Sequence, residues 1–328
     1  MDVETIVEAK MAEEPPKKKP LKKHPKWKYV KNNWGFYLML LPGLLSLGVF
    51  TLFPMVGLYI AFIDYNSGVS IFRLWEAEFV GTLNFDLMFL DPLIWKMIRN
   101  TLVLSSLKIL VNFPLTIVLA LLISEVEVKW FKNVFQWVSY LPNFISWVIV
   151  SGMMTVLLDG DNGIFNKVIE AFGCEPVSWY ASPYKWWGLL VASGVWKGIG
   201  WGTIMYIATM SSIDTQLYEA AEIDGATRLQ QTWHVTLPGL AGLISIQLIL
   251  TIGKIFTDDF EQIYALVGPS DILQDTTAVF STKIFEYSSN IKMYETATAM
   301  GLLQSIVCLV LVSFTNWIAK KMGQQSIW

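Results

Sequence analysis

Six apolar runs, each close to the length of a bilayer crossing, constrain this chain more than anything else in it. They fall at about Phe36–Ile63, Thr101–Ser124, Val134–Leu158, Trp187–Met210, Gly239–Phe256 and Thr296–Ala319. A helix needs about 20 mostly apolar residues to cross the hydrocarbon core. The fifth run is short, and its upstream boundary is the least sharply marked. The first is too long for a signal-peptide core and carries no small-residue cleavage site, so it is expected to remain as a helix. Only 16% of the 328 residues are charged, against about a quarter in soluble domains. The fold is therefore expected to be all-α, a polytopic membrane protein built as a six-helix transmembrane bundle.

Charge layout predicts the orientation. Eight lysines and no acid lie between Lys17 and Lys31, in a segment (residues 1–33) too polar to bury a core and expected to be a disordered basic tail. Such a tail should stay cytoplasmic, and six crossings return the C-terminus, with Lys320 and Lys321, to the same side of the cell membrane. Lys129 and Lys132 fall on that side too. The connector between runs four and five also lies there, yet has Arg228 as its one lysine or arginine and an excess of acid. Loops of about residues 64–100, 159–186 and 257–295 then face outward. This divides the chain into the tail, 34–94 (first span and outer loop) and 95–328 (a five-span core). Trp34, Trp95, Trp130, Trp179, Trp186, Trp187 and Trp317 fall near span ends, as an interfacial aromatic belt would. The basic residues are not spread over a folded face, so nucleic acid is not an expected partner.

The connector between runs four and five carries the strongest pattern. Asp214 suits a helix N-cap, and Gln216 to Ile223 are mostly adequate helix formers. Gly225 suits a left-handed helix end. A second helix is predicted from Ala226 to about Val235, and Pro238 marks the entry to the fifth span. The result is a helix, a glycine turn and a helix at the membrane surface. The small side chains of Ala220 and Ala221 permit close approach, while Glu219, Glu222 and Asp224 serve as polar handles. This geometry suits a knob that docks into another protein.

The string EAAEIDGAT followed by LP (Glu219, Ala220, Ala221, Gly225, Leu237, Pro238) resembles the EAA loop of permease subunits in binding-protein-dependent ABC importers. Leu41–Tyr65 and Gly163–Gly173 are similar to the sugar-permease branch, and the resemblance covers about residues 36–320. Within that branch the chain looks like the F-side subunit of the maltose transporter, and most like permeases of oligo- and polysaccharide uptake. The resemblance implies an ABC importer type I permease fold in which this chain supplies half of the translocation path. It implies a second related permease, two ATPase subunits, an extracytoplasmic substrate-binding protein and an oligo- or polysaccharide substrate. Glu219, Ala220, Ala221, Glu222, Asp224, Gly225 and Pro238 would then form the ATPase-coupling loop.

The chain has no GxxxxGK[ST] phosphate-binding loop. No cofactor of its own is expected, since ATP would be bound by the partner ATPase, and no enzymatic activity is expected. Cys174 and Cys308 form no zinc or disulfide pattern, and His24 and His234 have no ligating neighbours. Asp159-Gly-Asp161-Asn-Gly163 begins like a calcium loop but lacks the later ligands, so a polar turn is expected. An ion-coupled carrier would need an intramembrane carboxylate relay, and no Asp or Glu lies inside the six runs. A membrane protease would need HExxH or paired intramembrane aspartates. The one adjacent pair, Asp258-Asp259, falls at a span end.

Ionisable groups inside spans are functional candidates by default; here they are Lys108, Lys197 and Lys254. Lys197 sits between Trp196 and Trp201 in a glycine-rich stretch, and aromatic faces beside hydrogen-bonding groups suit sugar rings. Lys197 is thus a candidate contact for an acidic saccharide. Asn143, Tyr206, Lys254 and Gln304 are further candidate substrate-path residues. For each, an interhelical or backbone hydrogen bond is the competing role. Ser146 carries the same ambiguity. Asp258, Asp259, Glu261 and Gln262 are candidates for contact with substrate or binding protein.

Overall fold

The computed structural model describes residues 30–65, 70–160, 162–257, 260–268, 270–323 and 325–327. The lysine-rich tail up to residue 29, His24, Asp161, Asp258 and Asp259 lie outside them. Among the described residues the regular structure is helical, and the one extended pairing is an isolated bridge between Ile63 and Phe79. Two compact units meet in sequence between Val56 and Gly57.

The first unit contains α1 (Trp34–Leu47), with Pro42 inside it and no buried side chain, followed by a π-turn at Gly48–Leu52. A helix that is apolar on every face and buries none of them suits a lipid surround. The apolar run Trp34–Phe62 that contains it is 29 residues long.

The second unit builds its walls from long helices. After the short α2 (Leu83–Leu90) comes α3 (Pro92–Glu125), 34 residues and about 51 Å at 1.5 Å per residue. Asp91 caps it by accepting from the Leu93 amide at 2.9 Å, and Pro92 takes the first turn, where its missing N–H costs nothing. Then follow α4 (Lys129–Tyr140), α5 (Trp147–Leu157), α6 (Ile164–Ala171) and α7 (Lys185–Met210). The polar connector holds α8 (Thr215–Ile223) and α9 (Arg228–Gln231), and leads into α10 (Leu237–Gly253). Three short helices, α11 (Phe260–Val267), α12 (Gln274–Thr277) and α13 (Phe280–Glu286), precede α14 (Tyr294–Lys321).

The span pattern differs from the expected one in two places. Among the described residues four helical runs are long and apolar enough to cross a bilayer: Trp34–Phe62, Pro92–Glu125, Arg228–Gly253 and Tyr294–Lys321. The third apolar run is not a straight helix. It breaks between Lys129–Phe144 and Trp147–Leu157 with a bend of 96°. Pro142 removes a backbone donor there, and Ile145 and Ser146 are extended, with ψ of 130° and 151°. Ser146 then restarts the chain as N-cap of α5, accepting from the Ile149 amide at 3.4 Å. The fourth run, α7, has 26 residues and the length to span, about 39 Å. Its glycines, tryptophans and Lys197 dilute its hydropathy below that of the other four.

The glycines of α7 set how closely its neighbours approach. Gly194, Gly198 and Gly202 face Lys108, Asn112 and Thr116 of α3 in matching steps of four, so the two helices run parallel. A Cβ on Gly202 would lie 2.7 Å from the Thr116 methyl. Gly200, two residues from both Gly198 and Gly202 and hence on the opposite side of the helix, faces α4, and a Cβ there would overlap the Ser139 carbonyl. One stretch of backbone therefore seats a helix on each side.

The connectors are well packed. Trp186 is fully buried in a cluster with Leu104, Leu190, Leu273 and Val279, and its indole donates to the Trp179 carbonyl at 3.0 Å. The Trp187 indole donates to the Thr276 carbonyl at 2.7 Å. These tryptophans and the part-buried Trp179 are thus internal posts rather than belt residues, because each indole N–H finds an acceptor within the fold. Trp34, Trp95, Trp130 and Trp317 are exposed, as the belt requires. Asp159 is a turn residue, accepting from the Asn162 amide at 2.8 Å.

Gly200→Ala is expected to destabilise the protein by about 1–3 kcal/mol through overpacking, whereas Gly188→Ala, with nothing within 4 Å of the added carbon, should be neutral. Thermal unfolding in detergent compares the two. Equal midpoints would refute the role given to Gly200.

Candidate functional site

A cavity of about 590 Å³ opens between α3, α7 and α10, with Trp147 of α5 and Gln262 of α11 also on its wall. This volume lies within the usual range of about 300–1,000 Å³ for small-molecule sites. Two polar stripes line it. On α3 they are Ser105, Lys108, Asn112 and Thr116; on α10 they are Gln247, Thr251 and Lys254. Steps of three and four residues put each set on one helical face. Phe113, Trp147, Trp201 and Tyr206 supply aromatic surface. Such a lining offers ring faces and hydrogen-bonding edges together.

Of the candidate substrate-path residues, the structure brings Trp201, Tyr206 and Lys254 to this cavity. Asn143, Trp196, Lys197 and Gln304 are not on its wall. The Lys197 ammonium donates to the Asn143 backbone carbonyl at 2.8 Å and lies 5.4 Å from the centre of the Trp147 ring. It therefore closes the break between α4 and α5, where the bend frees a carbonyl. The Gln304 amide is buried and donates to the Phe256 carbonyl at 2.7 Å, satisfying the chain just beyond the end of α10. Trp196 is 43% exposed and is not among the residues that line the cavity. Trp201 stacks edge-on against Phe144, with centroids 5.6 Å apart, which steadies its cavity-facing ring.

Gln262 holds one end of the cavity together. Its amide donates to the Leu190 carbonyl at 2.6 Å and the Ser193 hydroxyl at 2.9 Å, and its Oε1 accepts from Lys108 Nζ at 2.5 Å. Outside the cavity wall, Asp275 pairs with Lys96 at 2.8 Å and Arg99 at 3.7 Å. The hydrogen bond from Lys96, together with both positive charges, holds the Asp275 carboxyl below its ordinary value.

The polar connector forms the helix, turn and helix read from the sequence. Asp214 caps α8, accepting from the Gln216 amide at 3.0 Å. Gly225 has φ +78°, the left-handed region that favours glycine. The Ala226 amide donates back to the Ala221 carbonyl at 2.9 Å and the Gly225 amide to that of Glu222 at 3.0 Å, closing α8. Thr227 then starts α9 with a capping box to Gln230. The second helix does not stop at Val235 as expected. It runs unbroken from Arg228 to Gly253, and a π-turn at Thr232–Thr236 precedes Pro238. The wider turn accommodates the proline ring and its missing N–H, so Pro238 sits within a continuous helix rather than at a boundary.

Glu219, Ala220, Glu222, Asp224, Gly225 and Pro238 are exposed and Ala221 half-buried. Leu217, Ile223, Leu229 and Trp233 are exposed too. The Tyr218 hydroxyl meets the Thr236 hydroxyl at 3.0 Å, and Arg228 lies 3.9 Å from Glu125 and 3.5 Å from Glu127. These contacts fasten the loop to α10 and to the end of α3. His234 bonds the Gln230 carbonyl one turn back, at 2.9 Å.

Sequence reasoning did not single out Ser105, Asn112, Phe113, Thr116, Gln247 or Thr251. The usable signal was present: polar residues recurring at three- and four-residue steps inside an apolar run.

Long apolar helices around a polar, aromatic-lined cavity, with an exposed helical loop, define a transmembrane permease. Residues 116–324 match the family described as the binding-protein-dependent transport system inner membrane component. The chain belongs to this family. It is 37% identical to the polygalacturonan/rhamnogalacturonan transport system permease protein YteP of Bacillus subtilis (strain 168), over 89% of each chain. It is 36% identical to Protein LplB of the same organism, over 91% of this chain and 92% of that one. A crystal structure of a bacterial ABC transporter involved in import of the acidic polysaccharide alginate superimposes with TM-score 0.82 at 34% identity, over 90% of this chain and 98% of that one. A second, of the alginate transporter in complex with an alginate pentasaccharide-bound periplasmic protein, gives TM-score 0.83 at 34% identity, over 92% and 99%.

Lys197→Met is expected to lower stability by about 1.5–3 kcal/mol, the scale of a hydrogen bond to a charged group. It should leave the order of preference among transported substrates unchanged. Thermal unfolding and competition uptake read the two effects separately, and a changed preference would return Lys197 to the substrate path.

Proposed function

We propose that this chain is one of two related permease halves in an ATP-driven importer of oligo- or polysaccharide, coupled to a separate ATPase through the 214–238 loop. The observation that carries the reading is the exposed helix Thr215–Ile223, closed by a left-handed glycine and fastened to the start of a long helix. An exposed apolar and acidic knob of this form suits a cleft in a partner. Two ATPase subunits would take the loops of the two halves, with both chain termini on their side of the membrane. A binding protein would deliver substrate at the opposite face. The excess of acid in a loop on the cytoplasmic side then reflects docking rather than topology.

The domain reading remains a basic tail at 1–33, a first span and outer loop at 34–94, and a permease core at 95–328. The saccharide class draws on the similar permease whose name is polygalacturonan/rhamnogalacturonan transport and on the alginate importers. The cavity's aromatic and hydrogen-bonding wall is consistent with it.

Affinity capture of the tagged chain from native membranes in mild detergent tests the assembly. Recovery of a second multi-span permease and a P-loop ATPase in near-equal amounts is expected. Recovery of the chain alone, transporting without ATP, would overturn the reading. The loop has its own test in Gly225→Pro, which imposes φ near −65° where +78° is required. Coupled ATP hydrolysis and uptake are expected to fall at least about tenfold while membrane insertion persists, and Gly225→Asn, which tolerates that region, should retain more of both. Normal coupling in the proline variant would remove the loop from the mechanism.

A further inference from the structure

The cavity contains a lysine whose ammonium makes no bond among the described residues. Lys254 caps the end of α10 with φ −101° and ψ 7°, is exposed, and lines the cavity. Its ammonium has no hydrogen-bond or ion-pair partner among the described residues, unlike Lys197, which is bound to Asn143, and Lys108, which donates to Gln262. An exposed ammonium that lines the cavity and makes no such bond among the described residues is free to meet a ligand there. Below it on the same helical face stand Thr251 and Gln247, a hydroxyl one turn away and a carboxamide two turns away. Trp201, whose ring is steadied by Phe144, lines the same cavity from α7.

We propose that Lys254 is a specificity-determining residue that holds a carboxylate of a uronic-acid-containing saccharide as it passes through the cavity. This deepens the oligosaccharide reading above and rests on it. The ammonium forms a charge-assisted hydrogen bond with the carboxylate, Gln247 and Thr251 bond the ring hydroxyls, and the apolar C–H face of the sugar lies on Trp201. The preference for acid that the sequence suggested for Lys197 thus belongs to Lys254, because the break between α4 and α5 consumes the Lys197 ammonium.

The test uses the complete importer reconstituted in liposomes with its partner permease, ATPase and binding protein. Uptake of a uronate oligosaccharide is compared with that of its neutral methyl ester. The binding protein is the same in every sample, so a change in the acid-to-ester ratio between variants reports the cavity. Lys254→Gln is expected to lower that ratio of kcat/KM about tenfold, Lys254→Glu to lower it further, and Lys254→Arg to keep most of it. Since the ammonium makes no hydrogen bond or ion pair among the described residues, both charge-changing variants should assemble, and either suffices. An unchanged ratio in an assembled variant, or equal losses for acid and ester, overturns the proposal. A wild-type importer that moves neither compound overturns the oligosaccharide reading, and this inference with it.

Discussion

The close, parallel approach of α3 and α7 is the contact on which the rest of the second unit depends. In lipid there is little hydrophobic drive between helices, so association rests on shape and on interhelical polar contacts. Gly194, Gly198 and Gly202 expose bare backbone to Lys108, Asn112 and Thr116. That face of α3 can therefore be polar without being forced apart from its neighbour. The cavity lies between this pair and α10. Behind it, Gly200 lets α4 close against the other side of α7, which sets the starting point of the bent pair.

The three lysines within or at the ends of the long helices show how differently the same costly group can be used. Lys197 repairs backbone, since a bend in an apolar surround leaves a carbonyl that water cannot reach. Lys108 joins α3 to α11 through Gln262, which in turn holds two groups of α7. Lys254 alone of the three has no such bond among the described residues. A residue's type and its place in a span do not separate these cases; the bond each makes does.

Much of the architecture was legible in the chain because it rests on local rules. Apolar runs of spanning length gave helices, Asp214 capped α8, and Gly225 took the left-handed position that its place after α8 demanded. The straight third span was not legible as a bend, although Pro142 and Ser146 mark it, because proline within a membrane helix is often tolerated. Trp186 and Trp187 read as belt residues because proximity to a span end does not tell whether an indole N–H will find an internal carbonyl. In the cavity, Trp201, Tyr206 and Lys254 were reachable from sequence. Lys197, Asn143 and Gln304 were not separable from them, since their partners lie 54 and 48 residues away. The α10 stripe of Gln247 and Thr251 was readable by spacing alone.

The continuity of the helix from Arg228 to Gly253 gives the site its mechanical sense. It is 26 residues long, about 39 Å. One end carries the contacts that fasten the exposed loop: Arg228 to Glu125 and Glu127, and Thr236 to Tyr218. The other end carries Gln247, Thr251 and, as its cap, Lys254. A break at Pro238 would have placed a hinge between the loop and the cavity. The π-turn instead absorbs the proline while preserving the helix. A force applied at the loop therefore reaches the cavity wall through one covalently continuous, hydrogen-bonded rod, and any tilt of that rod against the α3–α7 pair moves the polar stripe.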